Sequence, residues 1–168
     1  MDNEIKKQIV YELIDTFINA GNIALDLRDK GLKKIIKEDN TPVTNGDLEV
    51  NKIITNKIKE ITPQIPIVSE EVSDNKNIEN LSTFWLIDPI DGTYDYLNNR
   101  DEFTLNAGLI INKKPEVAII NAPAKKRLFY TFGMNNSFEI KNKKEIKLDS
   151  GLSSKNSELL ALVYSDNI

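Results

Sequence analysis

The chain has 168 residues, of which 40% are hydrophobic and 29% are charged, so it can bury a core and has the composition of a soluble globular protein. It contains no cysteine and no histidine, which excludes disulfides, zinc–thiolate sites, cysteine nucleophiles and histidine acid–base catalysis. With a formal net charge of −4, it is a poor candidate for binding a nucleic-acid duplex.

The N-terminal segment predicts a long helix and no export signal. Met1–Glu4 lacks the basic and then apolar pattern of a signal peptide, and no apolar run approaches the ~20 residues of a membrane helix. We therefore expect no membrane span and a cytoplasmic location, either free or at the inner face of the membrane. Apolar residues recur at helical steps from Ile5 to Ala24, and Gly31 suits the C-cap of this helix.

A second helix is predicted after a short strand at residues 33–37 and a turn-rich break at residues 38–42. Thr44 is a good N-cap residue, and Asp47 places a carboxylate in the first turn. The apolar periodicity continues to Ile61, and Pro63 marks the end of the helix.

The rest of the chain predicts strands. Two short apolar runs, residues 65–68 and 84–87, are typical of buried strands. The later runs predict a mainly antiparallel series at residues 103–111, 116–121, 128–132, 137–140 and 159–164. The lysine-rich run 141–147 predicts a solvated turn or edge, and Arg28 and Arg100 are interpreted as solvated charges. This order indicates an α+β fold with two long helices on a mainly antiparallel sheet.

Acidic residues directly follow both predicted buried strands. Glu70 and Glu71 follow the first strand, and Asp88 and Asp91 follow the second. Because converging carboxylates repel one another unless a cation neutralises them, and because oxygen-only ligands suit Mg²⁺, this pattern indicates a magnesium site. An ordinary Asp-Pro-x-Asp-Gly turn stays open as an alternative.

The residues between and after the two aspartates favour a phosphate-binding turn. Pro89 stiffens the segment, and Gly92 permits a backbone conformation that other residues resist. Thr93 supplies a hydroxyl and is predicted to cap a helix that begins at Tyr94, whose free N–H groups would suit a phosphate.

Four segments, in order, resemble motifs of the inositol monophosphatase superfamily. Residues 85–93, Trp-Leu-Ile-Asp-Pro-Ile-Asp-Gly-Thr, resemble its signature. Residues 37–47 are similar to its K-x-D-x-S-P-V-T-x-x-D segment, and residues 69–71 match its [GS]-E-E segment. Residues 101–106 resemble the E-F-T-V-N segment of one branch, the CysQ-type 3′(2′),5′-bisphosphate nucleotidases. This chain departs from that branch at residues 94–96, which are Tyr-Asp-Tyr instead of Lys-Glu-Phe.

The resemblance implies a layered α/β sandwich and a Mg²⁺-dependent phosphomonoesterase. The implied substrate is a small phosphate ester, adenosine 3′,5′-bisphosphate, from which the 3′-phosphate would be removed to leave AMP. Inositol 1-phosphate as the better substrate, a non-catalytic truncated remnant and a plain acidic interaction domain remain open as alternatives.

The resemblance also implies roles for individual residues. The implied Mg²⁺ ligands are three carboxylates and one backbone carbonyl: Glu70, Asp88, Asp91 and the carbonyl of Ile90, with Glu71 as acidic support. The implied catalytic residues, which orient and deprotonate the attacking water, are Asp47, Thr93 and the metal ligand Glu70. The implied phosphate-binding residues are Asp91, Gly92 and Thr93.

The second half of the superfamily fold, with its W-D-x-A-A-G segment and a further metal-binding Asp, has no counterpart in this sequence. Residues 160–165 resemble the strand that opens that half. We therefore expect residues 1–150 to form an N-terminal metal-binding lobe and residues 151–168 to begin a truncated C-terminal lobe. A homodimer, or a complementing C-terminal chain, is the expected macromolecular partner.

Overall fold

A computed structural model describes residues 1–36, 42–71 and 80–148 of the chain. The expectations for most of the turn at 38–42 and the loop at 72–82, for the strand at 159–164 and for the second lobe at 151–168 lie outside these residues. The helices are α1 Asn3–Lys30, α2 Asn45–Ile61, α3 Thr93–Leu97 and a short 3₁₀ helix at Pro123–Lys125. The strands are β1 Lys34–Ile36, β2 Pro42–Thr44, β3 Ile67–Ser69, β4 Phe84–Asp91, β5 Thr104–Ile111, β6 Lys114–Ala122, β7 Arg127–Phe132, β8 Ser137–Lys141 and β9 Lys144–Lys147.

Seven strands form one sheet in the order β3-β4-β5-β6-β7-β8-β9, and β1 pairs with β2 in a separate ribbon. Strands β3 and β4 are parallel, whereas the other neighbours in the seven-stranded sheet are antiparallel. The α+β fold with a mainly antiparallel sheet is thus confirmed. The lysine-rich run forms the edge strand β9, which is exposed along its length. Charged side chains on an edge discourage pairing with another chain.

Both long helices are confirmed, with the predicted caps. Gly31 follows α1 with a φ of 96°, and its N–H donates to the carbonyl of Arg28. Thr44 caps α2 and forms a reciprocal capping box with Asp47. The helices pack on one face of the sheet, and the fully buried core between them includes Val10, Leu13, Phe17, Ile54, Trp85 and Leu105. Burial of each such side chain contributes about 1.5–3 kcal/mol.

Strand β4 is longer than the predicted run 84–87, because β5 continues to pair with it. Asp88 faces Asn106, Asp91 faces Thr104, and the register shifts between these two pairs. Pro89 lies in the shift, where no ladder N–H is required of it. The two aspartates are therefore held within a strand end and not in the loop that the sequence predicted.

The face of the sheet that points away from α1 and α2 is called the outer face below. One row of cross-strand neighbours on it runs through Asp88, Asn106, Ile120 and Phe129. Ile120 is 41% exposed, so the outer face is open to solvent at this residue. Within the described ranges, no helix combines the length and apolarity that crossing a bilayer requires.

Candidate active site

The acidic ends of β3 and β4 lie side by side because these two strands are parallel. Ser69 pairs with Ile87, and the N–H of Glu70 donates to the carbonyl of Ile87 at 3.1 Å. Since parallel strands end at the same edge of a sheet, Glu70 lies next to Asp88. The structure thus brings together the two acidic segments that the sequence singled out.

The negative charges of these neighbouring carboxylates repel one another. Burial, then the charge of Glu70 and then that of Asp91, raises the pKa of Asp88 to about 7. A hydrogen bond with Glu70 and the charge of Glu71 act in the same direction. A carboxyl group that resists ionisation for these reasons is one that a bound cation would stabilise in its ionised form.

The donor chemistry of the group fits a hard divalent cation. Oδ1 of Asp88 is buried and has no hydrogen-bond partner among the described residues, which is costly for a carboxylate oxygen. Among the residues that the structure describes, no group of three acidic side chains is already arranged to hold a metal ion. The fit therefore rests on the oxygen donors and on the orphaned atom, and not on a preformed cage.

The turn after β4 requires glycine. Gly92 has a φ of 89°, and a Cβ atom at this position would lie 2.7 Å from the carbonyl oxygen of Glu102. This left-handed residue starts α3 at Thr93, one position earlier than predicted. Thr93 is therefore not the N-cap, and the expectation that its hydroxyl caps a helix starting at Tyr94 is wrong. Because α3 has only five residues, it is too short to supply a strong helix-terminal phosphate site.

The hydroxyl of Thr93 points back toward the acids instead. Its Oγ1 lies 3.1 Å from the carbonyl oxygen of Ile90 and 3.3 Å from Oδ1 of Asp47. As a hydroxyl has one proton, it donates to one of these oxygens at a time or is shared between them. Ile90 thus presents its carbonyl to the site while its side chain is buried in the core.

Asp47 reaches the site from the first turn of α2. Its Oδ2 accepts a hydrogen bond from the backbone N–H of Thr44 at 2.8 Å, and its Oδ1 faces Thr93. The side chain is fully buried. Burial raises the pKa of Asp47, although hydrogen bonds from Thr44 and Thr93 oppose the shift. The predicted pair of Asp47 and Thr93 is therefore in contact.

The sequence alone assigned no role to Tyr96 and Gly46 near the site, and a wrong one to Arg28. Tyr96 is fully buried, and its hydroxyl donates to the carbonyl of Ala24 at 2.6 Å. Gly46 leaves room for that ring, since a Cβ atom there would overlap the hydroxyl of Tyr96. The sequence offered only a weak signal for this contact, an aromatic residue one turn after Gly92.

Arg28 is not solvated as the sequence suggested. Its side chain is 11% exposed, donates to the carbonyl of Arg100 at 2.7 Å and pairs with Asp101 at 3.3 Å. The guanidinium also lies over the ring of Phe103, 5.4 Å from its centre. Arg28 therefore fastens the segment between α3 and β5 to the first helix. Arg100 itself is 58% exposed and pairs with Asp95 at 3.1 Å.

Curated proteins similar to this chain include 3′(2′),5′-bisphosphate nucleotidases. The 3′(2′),5′-bisphosphate nucleotidase CysQ of Buchnera aphidicola is 38% identical over 124 residues, which are 72% of this chain and 47% of that protein. The protein of the same name from Haemophilus influenzae is 39% identical over 98 residues, or 56% of this chain and 36% of that one. The chain thus spans about half the length of the curated relatives it matches, or less.

Solved structures and a family profile agree with these relatives. CysQ from Bacteroides thetaiotaomicron, described as a bacterial member of the inositol monophosphatase family, superposes with a TM-score of 0.61 at 26% identity, over 82% of this chain and 50% of that one. The suhB protein of Bartonella henselae shares the fold, with a TM-score of 0.70 at 21% identity over 79% and 52% of the two chains. The profile of the inositol monophosphatase family matches residues 5–167. The chain belongs to the inositol monophosphatase family.

Proposed function

We propose that this chain contributes the metal-binding and water-activating groups of a Mg²⁺-dependent phosphomonoesterase. The observation that carries the proposal is the buried Oδ1 of Asp88 beside Glu70 and Asp91, which has no hydrogen-bond partner among the described residues. The carbonyl of Ile90, on the same strand, contacts the hydroxyl of Thr93, which also contacts Asp47. Carboxylates and a hydroxyl in this combination suit hydrolysis by an activated water, which needs neither histidine nor cysteine.

In this proposal the cation is held by Glu70, Asp88, Asp91 and the carbonyl of Ile90, with Glu71 nearby. When bound, Mg²⁺ lowers the pKa of water and offsets the charge that develops on phosphoryl and leaving oxygens. The backbone at Gly92 and Thr93, with Asp91, positions the phosphate.

Asp47 and Thr93 move the proton. The hydroxyl of Thr93 accepts a proton from the attacking water while it gives its own proton to Oδ1 of Asp47, 3.3 Å away. The water oxygen bonds to phosphorus, and the ester oxygen leaves with the electron pair of the broken P–O bond and takes a proton from solvent water to become a hydroxyl. A buried carboxylate whose pKa is raised is suited to accept that proton.

The proposed substrate is adenosine 3′,5′-bisphosphate, which would be converted to AMP and phosphate. Support comes from the curated relatives, which are named 3′(2′),5′-bisphosphate nucleotidases. A cleft of about 460 Å³ beside the turn, lined by Asp91, Gly92, Tyr94, Arg100 and Phe103 among others, offers space for the part of the substrate beyond the phosphate.

The proposal extends to organisation and location. Residues 1–150 form the metal-binding lobe and residues 151–168 begin a second one, in a cytoplasmic protein that forms a homodimer or pairs with a complementing C-terminal chain. The profile of the family covers residues 5–167, and so parts of both ranges. Light scattering and cell fractionation, including the inner-membrane fraction, test the assembly and the location.

The activity is tested by two parallel measurements on the chain. Mg²⁺ binding is followed by calorimetric titration, and phosphate release is measured with adenosine 3′,5′-bisphosphate and with inositol 1-phosphate. We expect saturable Mg²⁺ binding that Glu70→Gln weakens at least tenfold, while Glu49→Gln, an exposed acid of α2, leaves it unchanged. Faster release from inositol 1-phosphate would contradict the proposed substrate. Mg²⁺ binding without turnover would favour a non-catalytic remnant, and the absence of Mg²⁺ binding would contradict the whole proposal.

A further inference from the structure

Asn106 occupies a position on β5 for which the proposed function gives no role. It is the direct cross-strand neighbour of Asp88, and both side chains stand on the outer face of the sheet. Directly opposed residues on one face of an antiparallel pair have Cβ atoms about 4.5–5.5 Å apart, so their side chains interact. Asn106 therefore lies within reach of the proposed metal ligands on β4.

The amide of Asn106 has one end engaged with the acidic group. Its Nδ2 donates to Oδ2 of Asp91 at 3.4 Å, a long hydrogen bond. This orientation is the favourable one, because the opposite assignment would point the amide oxygen at a carboxylate oxygen. The donor end of Asn106 thus steadies Asp91 across the register shift at the end of β4.

The other end of the amide is buried and unsatisfied. Oδ1 of Asn106 has no hydrogen-bond partner within the described residues, and the same is true of Oδ1 of its neighbour Asp88. When Asp88 is ionised, as it would be with a cation bound, its carboxylate and the amide oxygen are both acceptors, so neither can satisfy the other. Two adjacent buried acceptors need donors or a cation from beyond the described residues.

We propose that Asn106 is a positioning residue of the metal site: its amide N–H holds Asp91, and its amide oxygen accepts a hydrogen bond from a water molecule carried by the bound Mg²⁺. This inference rests on the proposed function. Mg²⁺ usually keeps several of its waters when it binds to proteins, and residues that orient ligands and waters from outside the ligand set tune its affinity.

The test compares Asn106→Ala with the parent chain in Mg²⁺ titrations. Loss of such a supporting residue typically weakens metal affinity by about 10–100-fold, and we expect a loss in this range. Asn106→Ser, which keeps a hydroxyl donor and acceptor, should recover part of it. Ile120→Ala is the matched control, because Ile120 is the next residue of the same cross-strand row and carries no polar group.

A second readout separates positioning from a merely structural role. In the absence of Mg²⁺, Asn106→Ala removes an unsatisfied buried oxygen, so the thermal midpoint should stay unchanged or rise. A structural role predicts the opposite, a lower midpoint without Mg²⁺ and unchanged Mg²⁺ affinity. In the parent chain, the side-chain amide resonances of Asn106 should shift on Mg²⁺ addition and saturate with the titration.

The outcomes distinguish the role of Asn106 from the proposed Mg²⁺-dependent function. If the parent binds Mg²⁺ and Asn106→Ala binds it within twofold of the parent, the role of Asn106 is refuted and the proposed function stands. If the parent chain binds no Mg²⁺, both are refuted. If Ile120→Ala weakens binding as much as Asn106→Ala, the effect comes from the outer face in general and the positioning role is refuted.

Discussion

At the scale of single residues, Asp88 is the carboxyl group of the proposed site whose ionised form is most disfavoured by burial and by neighbouring negative charges. Its carboxyl is partly buried beside Glu70 and Asp91, and one oxygen has no partner within the part of the chain that the structure describes. In the metal-free protein the protonated form of Asp88 is therefore favoured up to about pH 7. Because the pKa of Asp88 differs between the folded and unfolded states, the free energy of unfolding depends on pH.

Because the pKa of Asp88 is raised from 3.8 to about 7 in the folded protein, the native state holds a proton that the unfolded chain has released. The free energy of unfolding of the metal-free chain should therefore fall as the pH rises from 3.8 to about 7, by at most about 4 kcal/mol from this group. Asp88→Asn should remove this component. Urea unfolding of both proteins at several pH values, in EDTA, measures the difference, and parallel pH profiles would contradict the expectation.

At the scale of elements, the site depends on how three helices and two strand ends are fastened together. The contact between Asp47 and Thr93 connects the first turn of α2 to the turn after β4. The hydrogen bond from the hydroxyl of Tyr96 to the carbonyl of Ala24 connects α3 to α1. Arg28 adds a second connection from α1 to the segment before β5. These polar contacts fix the helices relative to the strand ends, where apolar packing alone would allow them to slide.

The connection through Tyr96 can be removed with little change in shape. Tyr96→Phe deletes the hydroxyl that bonds to Ala24 and should lower the free energy of unfolding by about 1 kcal/mol. Tyr94→Phe is the matched control, because Tyr94 is 65% exposed on the same short helix and should be neutral. Chemical denaturation measures both variants. Equal effects of the two substitutions would show that the buried hydroxyl contributes nothing specific.

At the scale of the whole molecule, the proposed site couples metal binding to folding. A ligand that binds only the native state stabilises it by about 2.7 kcal/mol at a concentration 100 times its dissociation constant. We therefore expect Mg²⁺ at such a concentration to raise the thermal midpoint of the chain and Glu70→Gln, with its affinity at least tenfold lower, to remove about half of the increase or more. Differential scanning calorimetry measures it, with a sodium salt at equal ionic strength as the control. An equal rise with the sodium salt would assign the effect to general screening.

Most of the architecture could be predicted from the sequence because it follows from local patterns. Helical periodicity with Gly31 and Thr44 as caps defined both long helices, and apolar runs located the strands. The pairing of Asp47 with Thr93 was expected from the resemblance. The positions that escaped prediction depend on distant partners. The hydroxyl of Thr93 turns inward because Gly92 starts α3 one residue early, and Asn106 gains its neighbours only through the register of β4 and β5.

Contacts between residues far apart in the chain hold the site together, and this affects the order in which the protein folds during synthesis. The bond between Asp47 and Thr93 joins positions 46 apart, and that between Arg28 and the carbonyl of Arg100 joins positions 72 apart. Contacts between residues far apart in the chain close late, since the entropy of the intervening loop is lost before they form. During synthesis on the ribosome, α1 and α2 therefore emerge long before their partners. The capacity to bind a cation would arise only after β5 has joined the sheet, so metal affinity would report the completion of folding.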